Sequence, residues 1–176
     1  MTRLHVPSIL PLLTLLAAAS LACSAPQTTA ATAVGDTFVL QSEHLADGKA
    51  FDLSSQRGKV CIVDVWASWC GPCRQALPFF AELHGRLGSR GLTVVALSVD
   101  EDRAAASKFV DSMKLPFVVL WDRDQKNVAR LNVPKMPTSF LLDRQGRVRK
   151  VYGGFNDADR KVIEADVMAL QKVPGP

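Results

Sequence analysis

The stretch VDVWASWCGPCRQALPFF, residues 63–80, sets Cys70 and Cys73 two residues apart directly after an apolar run. Two thiols at that spacing can hold a metal, staple the chain, or exchange electrons with the thiols of another protein. A zinc site needs about four ligands, and a single C-x-x-C supplies two. Cys23 and Cys61 have no comparable spacing, and His44 and His84 form no second ligand pair, so no metal site is expected. A bridge across two intervening residues closes a tiny loop and removes little entropy from the unfolded chain, so stapling is a poor reason for the pair. Exchange chemistry remains.

Placement points the same way. The apolar run reads as a buried strand and the residues after Pro72 as a helix, so Cys70 falls beside a first helical turn. Unpaired backbone N–H groups and the helix dipole favour an anion there. A thiol so placed ionises more readily, and the thiolate is the nucleophile. Cys73, one turn in, is expected to be more shielded and to resolve the mixed disulfide formed at Cys70. Six positions before Cys70, Asp64 interrupts the strand between two apolar neighbours. Burial disfavours an ionised carboxylate and raises its pKa. That suits Asp64 to take and return the proton of Cys73 during exchange.

The elements that must hold these groups alternate. Residues 38–40 and 50–53 flank ADGK, whose Asp47-Gly48 is a turn signal, and predict a short hairpin. Residues 60–69 form a run rich in β-branched residues, as a central strand covered on both faces requires. Residues 72–87 have helical spacing, with Leu77, Phe80, Leu83, His84 and Leu87 to one side. Strands at 92–99 and 117–121 bracket a helix at 103–114. A short helix follows at 126–131. Strands at 139–143 and 148–152 turn at Gly146, and a last amphipathic helix spans 157–171 with Val162, Ile163, Val167 and Leu170 inward. Such alternation predicts an α/β sandwich around a mixed sheet. Trp66 reads as half-buried support and Cys61 as a small buried hydrophobe.

At 176 residues and 48% apolar, the chain can bury one sizeable core. A formal net charge of +4 with no basic run argues against nucleic acid as the main partner. No repeat of solenoid length is visible. The first 22 residues carry Arg3 and then the apolar ILPLLTLLAAASLA, too short and proline-broken to span a membrane, which predicts a secretory signal. Cys23 directly after it resembles the lipidated cysteine of bacterial lipoproteins, although Ser20 and Leu21 depart from that pattern. Lipidation would anchor the protein on a membrane; simple cleavage would leave it soluble in the periplasm. Residues 23–34 are small, polar and uncharged, the composition of a tether, and leave 35–176 as the folded domain.

WASWCGPC, with VDVW before it, resembles the active site of the thioredoxin superfamily. Pro78 falls at the helix-kinking proline of that family, and KMPTSFLLDRQG is similar to its cis-proline segment. The resemblance implies a thioredoxin fold, a catalytic trio of Cys70, Cys73 and Asp64, and a substrate surface made of Trp69, Gly71, Pro72, Met136 and Pro137. It implies no cofactor. The lysine that thioredoxins often place beside the aspartate is replaced, by strand register, with Ala96. The signal, the N-terminal hairpin and the extra β-α segment around residues 93–121 resemble the envelope-anchored reductases of the TlpA and ResA type. Many of those reduce apocytochrome c or other oxidised envelope thiols, and a dithiol reductant in an oxidising envelope is expected to be recharged by a membrane electron donor. Ala76 departs from the glutamate often found there in that branch. Gly71-Pro72 is the dipeptide of reducing thioredoxins, so disulfide reduction is expected, with a dithiol oxidase as the reverse alternative. A copper-delivery protein of the same fold is the non-enzymatic alternative. Ala67 and Val63 stand where a peroxiredoxin needs Thr or Ser and Pro.

Overall fold

The computed structural model describes Met1 and residues 32–174. The expected signal segment, apart from Met1, and Cys23 lie outside the described residues, as does most of the expected tether. Strands β1 (Gln41–His44) and β2 (Ala50–Asp52) form a hairpin whose turn holds Gly48 at φ 70°, a left-handed conformation that glycine takes without a Cβ clash. Then come β3 (Val60–Trp66), α1 (Cys73–Leu87), β4 (Leu92–Ser98), α2 (Arg103–Met113), β5 (Val118–Trp121) and α3 (Lys126–Leu131). The chain closes with β6 (Thr138–Leu142), β7 (Val148–Gly153) and α4 (Asp157–Lys172). The strands make one seven-stranded sheet in the order β2-β1-β5-β4-β3-β6-β7. It is mixed, because β3, β4 and β5 run parallel while β6 returns antiparallel on β3.

Strand β3 lies at the centre, and every one of its residues is buried. Its two faces feed two apolar clusters. Cys61, Val63 and Val65 pack with Phe109 of α2 and Leu131 of α3. Val60 and Ile62 pack with Phe79, Phe80 and Leu83 of α1 and with Ile163 and Val167 of α4. Period-2 alternation along one strand thus supplies both halves of the core. Asp102 and Asn156 cap α2 and α4 by accepting from the backbone N–H two residues on, which satisfies donors that the helices cannot.

Four expectations shift. The first hairpin strand is Gln41–His44 rather than 38–40. Phe38 and Leu40 are buried as expected, and Leu40 O still accepts from the Leu53 N–H just past β2, but the Phe38 N–H donates to Gly146 O, tying that segment to the β6–β7 turn as well. The central strand ends at Trp66, three residues short of the expected end, because the Cys70 N–H turns back to Ala67 O. Trp66 is fully buried rather than half-buried, since Phe109 of α2 closes over it with ring centroids 5.2 Å apart. Val162 is exposed, because Ile163 and Val167 take the face of α4 that meets the sheet.

Phe38 is buried and stacks on Phe140, with centroids 4.9 Å apart, so the segment before the hairpin belongs to the core. Phe38→Ala is expected to cost about 3–5 kcal/mol, the usual loss for emptying a buried aromatic site. Urea unfolding of the two proteins measures it.

Candidate functional site

The turn from β3 into α1 carries both sulfurs. Pro72 stands at the N-cap of α1 with helical φ, and Cys73 is the first helical residue. Cys70 and Cys73 are joined in a disulfide. The Cys73 N–H donates to Cys70 Sγ at 3.3 Å, so a donor that the helix leaves unpaired is aimed at the outer sulfur. Cys73 is sealed off at 0% exposure, while Cys70 retains 5% next to Trp69, which is 69% exposed. The expected order of access, Cys70 outside and Cys73 inside, is the one observed. Cys61 is free and buried, and burial pushes its thiol up to about 12, which keeps it inert.

Asp64 sits inside β3 with no exposure, on the face shared with Val60 and Ile62 and covered by α1. Burial pushes its carboxyl up to about 7, opposed only by a hydrogen bond from Ser139 Oγ to Oδ1 at 2.6 Å. Its other oxygen has no partner among the described residues. Ala96 lies opposite Asp64 on β4, as the register expectation had it, so no ammonium offsets the burial there. A buried carboxyl with one oxygen left without a partner is a group able to hold or release one proton close to pH 7.

The Met136–Pro137 peptide bond is cis. Strand β6 begins with Thr138 opposite Val65, which brings Met136 and Pro137 to the end of the sheet where the Cys70 turn leaves β3. Met136 and Trp69 line one cavity of about 700 Å³. Gly71 and Pro72 are exposed beside the disulfide. The residues expected from chemistry and those expected from the resemblance therefore gather at one end of the sheet.

Two groups that hold the site in place escaped the sequence reading. Ser139 is one; only the β3–β6 register sets it opposite Asp64. Asp100, just past β4, is the other. It is 2% exposed, and its carboxylate accepts from the Ser68 N–H at 2.9 Å, Ser68 Oγ at 2.7 Å and Ser98 Oγ at 2.8 Å. The carboxylate thereby pins the loop before Cys70 to the end of β4. An acid at the end of a buried strand was visible in the sequence, but its partner Ser68, 32 positions away, was not. Among the described residues no cluster of three or more His, Cys, Asp or Glu could hold a metal ion.

A family model described as Redoxin matches residues 24–167. The chain belongs to the Redoxin family. This Redoxin-family chain is 35% identical over 102 residues to the thiol-disulfide oxidoreductase ResA of Bacillus thuringiensis strain Al Hakam, a match covering 58% of this chain and 59% of that one. It thus spans about three fifths of the length of that curated relative. Among solved structures, one from Chlorobium tepidum, provisionally described as the thiol:disulfide interchange protein DsbE, superposes with a TM-score of 0.76 at 32% identity, covering 80% of this chain and 99% of that one. A secreted disulfide oxidoreductase of Mycobacterium tuberculosis gives 0.65 at 26% identity, covering 74% and 96%. The fold is the thioredoxin fold with an N-terminal hairpin and an inserted β-α segment.

Asp64 carries a pH signature. With a carboxyl ordinarily near 3.8 pushed up to about 7, the folded chain keeps a proton that the unfolded chain releases. Stability therefore falls as pH rises from about 4 to about 7 and levels off above. Asp64→Asn is expected to match the parent near pH 4 and to exceed it by up to about 4 kcal/mol at pH 8, at about 1.4 kcal/mol per pH unit. Ser139→Ala, which removes the bond that favours the ionised form, moves the Asp64 titration further up. Urea unfolding across pH and carboxyl titration by NMR read the two effects.

Proposed function

We propose that this chain is a thiol-disulfide oxidoreductase that reduces disulfides of bacterial envelope proteins by exchange through Cys70 and Cys73. The observation that carries the reading is the Cys73 N–H directed at Cys70 Sγ from the start of α1, with Cys73 itself sealed beneath. In the reduced state that donor and the helix dipole favour the Cys70 thiolate. The thiolate attacks one sulfur of the substrate disulfide, forming a mixed disulfide at Cys70 and releasing the first substrate thiolate. Cys73 gives its proton to Asp64 and attacks Cys70 Sγ. The Cys70–Cys73 bond forms, the bond to substrate breaks, and the second substrate sulfur leaves as a thiolate, to which Asp64 can return the proton. Two electrons pass from the chain to its substrate, and the loss of a proton from Cys73 is balanced at Asp64.

Trp69, Gly71, Pro72, Met136 and Pro137 form the surface that receives the substrate in this reading. An extended substrate strand would pair with the backbone before the cis proline. Apocytochrome c is one candidate among oxidised envelope proteins, and a membrane electron donor would restore the dithiol. The names of the relatives support the activity, and the secreted Mycobacterium tuberculosis neighbour supports action outside the cytoplasm. The apolar segment before Cys23 supports export, with residues 1–22 as signal, Cys23 as lipid anchor, 23–34 as tether and 35–176 as the working domain.

Dithiothreitol-charged protein is expected to reduce insulin, and Cys70→Ser to lose that activity by at least about 100-fold, since no second thiolate is placed to attack. Cys73→Ala is expected to hold substrates as mixed disulfides on Cys70, which non-reducing gels and mass spectrometry identify. Retained activity in Cys70→Ser overturns the assignment. Separately, globomycin is expected to make an unprocessed precursor accumulate in cells; normal processing would leave a soluble periplasmic protein in place of a lipoprotein.

A further inference from the structure

Two cavities of opposite charge meet at Trp69. The first, of about 700 Å³, has Val99, Val133 and Met136 in its lining together with Glu101, Asp102 and Lys135. It also reaches Asp100, whose carboxylate is already engaged by Ser68 and Ser98. Carboxylates outnumber ammonium groups there three to one. The second, of about 510 Å³, has Phe109 and Met113 in its lining, and its charged residues are Arg74 and Lys108. Ser68, Trp69 and Ala105 border both, so the exposed indole is the partition between an acidic and a basic compartment.

Resting on the exchange reading above, we propose that these compartments select substrate segments by charge: an extended polypeptide carrying a basic residue on the Met136 side of its reactive cysteine and an acidic residue on the α2 side. The occupant follows from complementarity. Each compartment pairs an apolar lining with a charged one, which suits a long side chain with a charged end, whose methylenes lie on Trp69 and its neighbours. Arg74 is held in place for an acidic visitor. Its guanidinium lies 5.2 Å from the Phe109 ring centroid and donates to Ser68 O at 3.4 Å. A guanidinium fixed in this way loses little freedom when a carboxylate arrives and offers it a bidentate fork. Asp102 is likewise fixed, because its carboxylate caps α2 through the Ala104 N–H at 2.8 Å. A segment positive or negative on both sides meets one compartment of its own sign. Charge pairs of this kind steer encounter and reject wrong partners more than they tighten binding.

The test uses pre-reduced full chain and four synthetic peptides, each a disulfide-linked homodimer with one cysteine. The flanking residues are Lys/Lys, Glu/Glu, Lys/Glu or Glu/Lys at identical spacing. The readout is the second-order rate of chain oxidation in acid-quenched samples. One of the two mixed orders is expected to react about fivefold faster than Lys/Lys and Glu/Glu at low salt, the effect of two exposed ion pairs. The advantage should shrink at about 0.5 M salt, where the screening length is only a few ångström. The double variant Glu101→Lys, Lys108→Glu should bring all four rates within about twofold. Equal rates for all four peptides in the parent, or a preference unchanged in the double variant, overturns charge selection while leaving exchange intact. A reduced parent chain that no peptide oxidises overturns the exchange reading itself.

Discussion

The site depends on where a helix is allowed to begin. Strand β3 stops at Trp66, the chain turns within a few residues, and α1 starts at Cys73 with Pro72 before it. Any helix start leaves backbone N–H groups without internal partners. Here the Cys73 N–H is directed to Cys70 Sγ. Had the strand run on to Trp69, the outer sulfur would have met a different part of the helix, and the donor would have faced solvent. The disposition of β3, buried on both faces at the centre of the sheet, is therefore what gives the sulfur its electrostatic setting. Everything else supports that junction.

Two buried carboxylates do so in opposite ways. Asp100 accepts from three donors on Ser68 and Ser98, and these bonds hold the Cys70 loop against the end of β4. Asp64 accepts from one donor, Ser139, and its second oxygen is left without a partner. A fully satisfied carboxylate anchors; a half-satisfied one in an apolar strand is driven toward its neutral form and becomes a proton reservoir. The first holds the loop before Cys70, and the second sits inside the buried central strand. Cys61 shows the contrast within the same strand: a thiol with burial but no donor is merely inert.

Much of this was legible because it is local. C-x-x-C after a β-branched run, helical spacing from Pro72, and an acid interrupting an apolar strand are statements about residues within about twenty positions of one another. Strand alternation even put Ala96 opposite Asp64, since parallel neighbours of equal length leave little choice of register. Errors arose where local signals competed with remote ones. Phe38 and Leu40 have the alternation of a hairpin strand, yet Phe38 bonds to the β6–β7 turn while Leu40 alone reaches Leu53, and Val162 loses the inner face of α4 to Ile163 and Val167.

By itself, the sequence determined that two thiols stand two residues apart where a buried strand gives way to a helix, with Cys70 before the helix and Cys73 within it, because thiol spacing and helix polarity are carried along the chain. Tertiary structure alone decided how acidic Asp64 is, what pins the loop before Cys70, and that compartments of opposite charge flank Trp69. Those properties are set by desolvation and by contacts between residues tens of positions apart, such as Asp64 with Ser139 and Ser68 with Asp100, and no pattern read along a chain specifies which distant side chains will meet.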